Sequence, residues 1–310
     1  MLSVQTSFSQ NIKSPGDSGL WTVDISNDDK YIALGGDDSL LRIFTSDLKL
    51  LKSEKLEARG MIRAVHWHPK EPLLGISTRN DIWIVNPVTG EETKLDGDHR
   101  GSRTIAWNSN GEMLAAAAGS GIIWIWKKNG KLLRKIQKGA ADGSPDKKDF
   151  LGVDWHPSKN ILTTVGDEIR IFDTSGKQLI VFKHRVQQAG LLTVKWHPSG
   201  DFFVTGDCGH PDEGKLTLLQ FWQTDGKLMK EWNGSKREFR NIRWNKQGTS
   251  DALRIWSKNG KLLYTAKPHG NSVLWGTDWI SDSKKIVTVR FDSGNIQLWD
   301  GKANLLKTIN

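Results

Sequence analysis

Short alternating runs of apolar and polar residues recur along the chain and set its period. Six of them end on a tryptophan: Val65-His66-Trp67, Ile105-Ala106-Trp107, Val153-Asp154-Trp155, Val194-Lys195-Trp196, Ile242-Arg243-Trp244 and Thr277-Asp278-Trp279. Val23-Asp24-Ile25 fills the same slot near the start. These anchors stand at 25, 67, 107, 155, 196, 244 and 279, so the steps are 42, 40, 48, 41, 48 and 35 residues. Alternation with a period of two is the signature of a strand with one face buried. Helical periodicity is absent.

Two further runs follow within a repeat. One is the next strand: Tyr31-Ile32-Ala33-Leu34, Leu73-Leu74-Gly75-Ile76, Leu114-Ala115-Ala116-Ala117, Ile161-Leu162-Thr163-Thr164, Phe202-Phe203-Val204-Thr205 and Ile286-Val287-Thr288-Val289. The other is β-branched and aromatic, as in Leu41-Arg42-Ile43-Phe44, Ile123-Trp124-Ile125-Trp126 and Ile296-Gln297-Leu298-Trp299. A turn then reads Asn129-Gly130-Lys131, Ser175-Gly176-Lys177, Asp225-Gly226-Lys227, Asn259-Gly260-Lys261 or Asp300-Gly301-Lys302, and a fourth run such as Leu132-Leu133 begins. Asn-Gly and Asp-Gly accept the positive φ of tight hairpins, so consecutive runs pair antiparallel. One four-stranded sheet cannot bury both faces, whereas a ring of such sheets can.

The expected fold is therefore all-β: a seven-bladed β-propeller of four-stranded antiparallel blades over 19–310. Residues 1–18 form an N-terminal segment in which Ser3–Ser9 is a candidate seam strand. The sixth repeat is the exception. From anchor to the end of the third run the repeats take 19, 18, 19, 17, 26, 12 and 20 residues. Blade six is thus expected to be truncated, with about six residues of a normal blade lost.

The four-strand unit, its period, the His-Pro and turn pattern and Leu298-Trp299-Asp300 resemble the WD-repeat propellers over nearly the whole chain. Departures are clear. The family's Gly-His dipeptide is absent from the connections between repeats, with Pro268-His269-Gly270 a near miss, and the Trp-Asp ending survives once, with Ile171-Phe172-Asp173 as a relative. Asp38, six residues before Phe44, fits the family's turn aspartate. The resemblance implies a rigid scaffold whose faces bind peptides, proteins or sometimes nucleic acid. It implies no chemistry.

Composition narrows the function. Hydrophobic residues make up 37%, and no apolar run reaches the length of a membrane span. The first residues lack a basic cluster before an apolar block, so no secretory signal is expected. Cys208 is the single cysteine, which excludes an intrachain disulfide. These features together lead to an expected cytoplasmic location. Net charge is +9 with lysines scattered through the turns, and six of the 15 tryptophans stand at anchor positions. No phosphate-cradling or nucleophile-elbow motif is present. Cys208, His210, Asp212 and Glu213 match no zinc spacing, and His68, His156 and His197 recur as turn residues. No catalytic residue, metal or cofactor is expected.

The position four residues before each anchor is more informative. It holds Trp21, Arg63, Arg103, Leu151, Leu192, Arg240 and Trp275. Even spacing keeps it on the anchor's side of the strand, near the mouth of a central channel. The long connections 138–149 and 206–214 belong to the same face. Trp21, Arg63, Arg103, Arg240 and Trp275 are therefore the candidate ligand-binding residues. The expected partner is a protein, or an acidic or phosphorylated peptide, since arginine grips carboxylate or phosphate bidentately and tryptophan stacks. Nucleic-acid binding through a basic face, or a propeller hydrolase or lyase, are the alternatives.

Overall fold

The computed structural model describes residues 19–56, 60–97, 102–118, 121–137, 150–184, 190–209, 217–235, 239–244, 250–251, 254–257, 261–266, 274–280 and 284–309. The segment 1–18, the connection 138–149 and the metal-like residues His210, Asp212 and Glu213 lie outside them.

Every element described is a strand. Blade one is β1 (Leu20–Ile25), β2 (Tyr31–Gly36), β3 (Leu40–Thr45) and β4 (Leu50–Lys55). Blade two is β5 (Ile62–Trp67), β6 (Leu74–Thr78), β7 (Ile82–Val85) and β8 (Glu92–Lys94). Blade three is β9 (Thr104–Trp107), β10 (Met113–Ala118), β11 (Ile122–Lys127) and β12 (Leu132–Gln137). Blade four is β13 (Gly152–Trp155), β14 (Ile161–Val165), β15 (Glu168–Asp173) and β16 (Gln178–Lys183). Blade five is β17 (Leu191–Trp196), β18 (Phe202–Asp207), β19 (Thr217–Gln223) and β20 (Leu228–Ser235). The sixth sheet is β21 (Arg243–Trp244), β22 (Ser250–Asp251), β23 (Arg254–Trp256) and β24 (Leu262–Thr265). The last blade is β25 (Leu274–Ile280), β26 (Lys285–Arg290), β27 (Ile296–Asp300) and β28 (Leu305–Ile309). Strands follow one another in each sheet and pair antiparallel.

Six of these sheets are full blades, which corrects the expectation of seven. The sheet over 243–265 has four strands by connectivity but is vestigial. Its β21 and β22 are two residues each, and β22 meets β23 at the single pair Ser250–Trp256. Twelve residues between anchor and third-strand end cannot supply two strands of ordinary length.

Burial lies between the sheets. Each hydrophobic cluster joins two neighbours, for example Ala33, Leu41 and Ile43 of blade one with Val65, Trp67 and Leu74 of blade two. Another joins Leu20, Val23 and Ile32 to Val287, Val289 and Leu298, which closes the ring between the last blade and the first. The last blade takes all four of its described strands from 274–309, so the described residues close the ring by side-by-side packing rather than by a shared sheet. The outermost strands present Leu50, Leu51, Leu179, Val181, Met229, Leu263 and Leu306 to solvent.

The anchors are hooks between blades. The indole N–H of Trp67 donates to the carbonyl of Asp24 at 3.2 Å, that of Trp107 to His66 at 3.1 Å, and that of Trp155 to Ala106 at 2.9 Å. Each acceptor is the residue just before the anchor slot of the preceding blade. The side chain at that position adds a second latch. Asp24 accepts the amide N–H of Trp67 at 2.6 Å, Asp154 that of Trp196 at 2.8 Å, and Asp278 that of Ile25 at 2.9 Å across the seam.

Histidines of the His-Pro pairs act likewise. Nδ1 of His68 accepts the N–H groups of Lys70 and Glu71, and Nε2 reaches the carbonyl of Gly111 in the next blade at 2.8 Å. His156 repeats this with Ser158, Lys159 and Gly200. Burial holds both imidazoles below the ordinary histidine pKa.

Candidate functional site

The position four residues before each anchor, at or near the start of each blade's first strand, decides what the channel offers. Trp21, Arg63, Arg103, Leu151, Leu192, Arg240 and Trp275 all line one cavity of about 120 Å³ at the channel mouth. The structure thus brings together all five expected site residues.

The mouth has two unlike sides. On one, Trp21 and Trp275 meet edge to face with centroids 4.1 Å apart, and Phe291 stacks on Trp275 at 4.2 Å. The Arg240 guanidinium lies over the Trp275 ring at 4.5 Å, within cation–π range. Asp37 accepts the Trp21 indole N–H at 2.7 Å and fixes that ring. On the other side stand Arg63 and Arg103. Burial first, then the charges of Arg103 and Arg79, pull the Arg63 guanidinium below the ordinary arginine range.

Three residues further along the chain, each first strand contributes to a second tier. Lys195 pairs with Asp154 at 2.6 Å, and Arg243 lies 3.4 Å from Asp24 and 3.7 Å from Asp278. Burial and the neighbouring Asp278 push the Asp24 carboxyl up to about 8, and burial raises Asp278 also. Burial drives the His66 imidazole well below its usual value. These acids answer the lower cations but do not reach the cavity wall, whose lining holds Arg63, Arg103, Lys195, Arg240, Arg243 and His66 and no carboxylate among the described residues.

The sequence reading missed this tier, together with Arg79 and Phe291. The lower residues alternate with the apolar run and so look solvent-facing until neighbouring blades are in place. It also missed His184, which meets Asp207 at 3.2 Å, both almost fully buried. In the same blade the Trp222 indole N–H donates to Thr205 Oγ1 at 2.9 Å. Blade five and the connection before it therefore hold a His–Asp pair and a Thr–Trp pair, although Lys183 rather than glycine precedes His184. Asp38, as expected, organises its turn: it accepts the Leu40 amide at 3.0 Å and pairs with Arg42. Among the described residues, no cluster of three or more His, Cys, Asp or Glu could hold a metal ion. No helix of the described residues is long and apolar enough to cross a membrane.

Comparison with known proteins agrees with this geometry. The model for "WD domain, G-beta repeat" matches residues 7–45 and 92–127. Intraflagellar transport protein 122 homolog of Mus musculus is 26% identical over 60% of this chain and 16% of its own length. Periodic tryptophan protein 2 homolog of Caenorhabditis elegans is 24% identical over 92% of this chain and 29% of its own. Serine-threonine kinase receptor-associated protein of Homo sapiens is 23% identical over 66% of this chain and 54% of its own. The chain thus spans well under a third of the first two relatives. Matched repeats, four-stranded blades and anchor hooks agree: the chain is an all-β propeller similar to the WD-repeat proteins, its subfamily unassigned.

Proposed function

We propose that the protein is a non-catalytic scaffold of the cytoplasm that captures a protein partner through an acidic or phosphorylated segment seated at the channel mouth. One observation carries this reading: the cavity wall gathers cations from several blades and holds no carboxylate among its described residues. A low-dielectric, concave cationic wall focuses its field on an incoming anion. Rigid blades keep the wall in place, so little ordering entropy opposes binding. One relative is named for association with a serine-threonine kinase receptor. That name concerns the relative, and it fits a partner-binding role here.

Nucleic acid is the second reading, favoured by the net charge of +9. The lysines are spread through turns on both faces, whereas the mouth concentrates its arginines in one well, which suits a side chain better than a phosphate backbone. Enzyme chemistry finds less support. The acids nearest the channel are tied to Arg243, Lys195 and backbone amides.

The test is affinity purification of the tagged protein from its own lysate, with and without nuclease, beside Arg63→Glu/Arg103→Glu/Arg240→Glu. Nuclease-resistant protein partners lost in the variant are expected. Capture that disappears on nuclease treatment, or that the triple variant leaves intact, overturns the reading.

A further inference from the structure

Charges on the mouth face are unevenly answered. Acids of the turns between second and third strands are mostly engaged: Asp38 with Arg42, Asp81 with Lys94 at 2.7 Å, Asp207 with His184, and Asp292 with Arg290 at 2.9 Å. In the lower tier, Lys195 and Arg243 have Asp154, Asp24 and Asp278. Among the described residues Arg63 and Arg103 have no such carboxylate, and the buried Arg63 Nε–H has no hydrogen-bond partner.

Backbone ties place a third arginine beside them. The Arg79 amide donates to the carbonyl of Met61 at 2.9 Å, two residues from Arg63. Ser77 Oγ donates to the carbonyl of Ser102 at 2.9 Å, one residue from Arg103. Ile62 pairs with Thr78 in the sheet. The mouth end of β6 is thus flanked by Arg63 on one side and Arg103 on the other, with Arg79 at its tip. Three guanidinium groups on adjoining backbone is a repulsive arrangement, and no ion pair among the described residues relieves it there.

We infer that Arg63, Arg79 and Arg103 form a phosphate-recognition site, which takes a doubly charged phosphoryl group rather than a carboxylate. This rests on the mouth being a binding surface and names the chemistry of its ligand. A monoanion answers one arginine of the three and leaves the others in conflict. A phosphoryl dianion offers three acceptor oxygens and close to two charges, so separate guanidinium forks bind it together. The aromatic side, with Arg240 already over Trp275, is a poor host for a second cation such as a methylated lysine, and instead packs against the residues flanking the phosphate.

The experiment titrates the full chain calorimetrically with three probes: inorganic phosphate, N-acetyl-phosphoserine amide and N-acetyl-glutamate amide. Phosphoserine amide is expected to bind at least about tenfold more tightly than glutamate amide. Binding is expected to strengthen as pH rises through about 6, where the second phosphate proton leaves. Arg79→Gln and Arg103→Gln each weaken it about tenfold or more, equivalent to losing about 1.4 kcal/mol. Arg103→Lys, which keeps the charge and loses the fork, falls between. Lys227→Gln, on a turn at the far face, changes nothing. Thermal melting of each variant verifies its fold.

Phosphoserine amide binding more tightly than inorganic phosphate assigns the site to a phosphorylated side chain, and equal affinity assigns it to the free ion. Equal binding of glutamate and phosphoserine amides, or affinity unchanged in both Arg79→Gln and Arg103→Gln, overturns the inference. If partner capture still depends on the mouth while no phosphate probe binds, this inference falls and the scaffold reading stands. If arginine-dependent phosphate binding persists while capture ignores the mouth, the scaffold reading falls instead.

Discussion

At the scale of single residues, His68 joins two blades: one ring nitrogen closes its own turn and the other reaches Gly111 in the next repeat. That contact leaves no room for a side chain. A Cβ on Gly111 would lie 2.1 Å from His68 Nε2, and the residue holds φ at +83°, where side chains are strained. Gly111→Ala is expected to lower stability by about 3 kcal/mol, read as a shift in the urea midpoint with the slope unchanged. The His-Pro repetition was legible because it recurs at one offset from the anchor. Its function across blades was not, since Gly111 is 43 residues away. The same limit hid Asp24, whose partner amide is equally distant. By contrast, the mouth residues could be found from the sequence: a fixed offset from a strong repeat marker carries them to one place in any ring.

Among elements, the sixth sheet differs for a reason that its spacing makes plain. In blade five and in the last blade the third-strand tryptophan, Trp222 or Trp299, donates its indole N–H to a threonine of the second strand, Thr205 or Thr288, each at 2.9 Å. That threonine lies two residues beyond the one paired with the tryptophan. In the sixth sheet Ser250 pairs with Trp256, and Ala252, two residues further along the sequence, has no acceptor on its side chain. Trp256 is buried with its indole nitrogen lacking a partner among the described residues. A buried donor left so costs about 1–3 kcal/mol. Amides of Arg254–Trp256 are therefore expected to exchange with deuterium at least about tenfold faster than those of Ile122–Lys127, an equivalent strand in a full blade. Equal protection of the two would show the short sheet to be as firmly held as the others. The twelve-residue spacing announced a shortened blade. It could not show that four strands persist, because two-residue strands have no periodicity to read.

Across the whole molecule, the ring seam depends on a proton. Asp24 and Asp278 flank Arg243 where the last and first blades meet, and burial with mutual repulsion lifts Asp24 to about 8. A folded pKa above the ordinary carboxylate value means that the folded chain holds more protons than the unfolded one between about pH 4 and 8. Stability from this group therefore falls as pH rises through that interval and levels off above it. His66, held well below its usual value, acts in the opposite sense only in acid, so the range from about pH 7 upward isolates the aspartate. Asp24→Asn keeps an acceptor for the Trp67 amide and removes the titration. Its urea midpoint should change less than the wild-type midpoint between about pH 7 and 8.5, and parallel slopes would refute the account. The latches built on these residues all point one way round the ring: side chain of one blade, amide of the next. A repeat such as the fourth thus carries a hook at one end of its inner strand and an eye beside it, and mates with a copy of itself. Duplicating such a unit adds a member to the circle without requiring a matching change in any neighbour, so copy number can drift by simple genetic slippage while the joint between units stays intact.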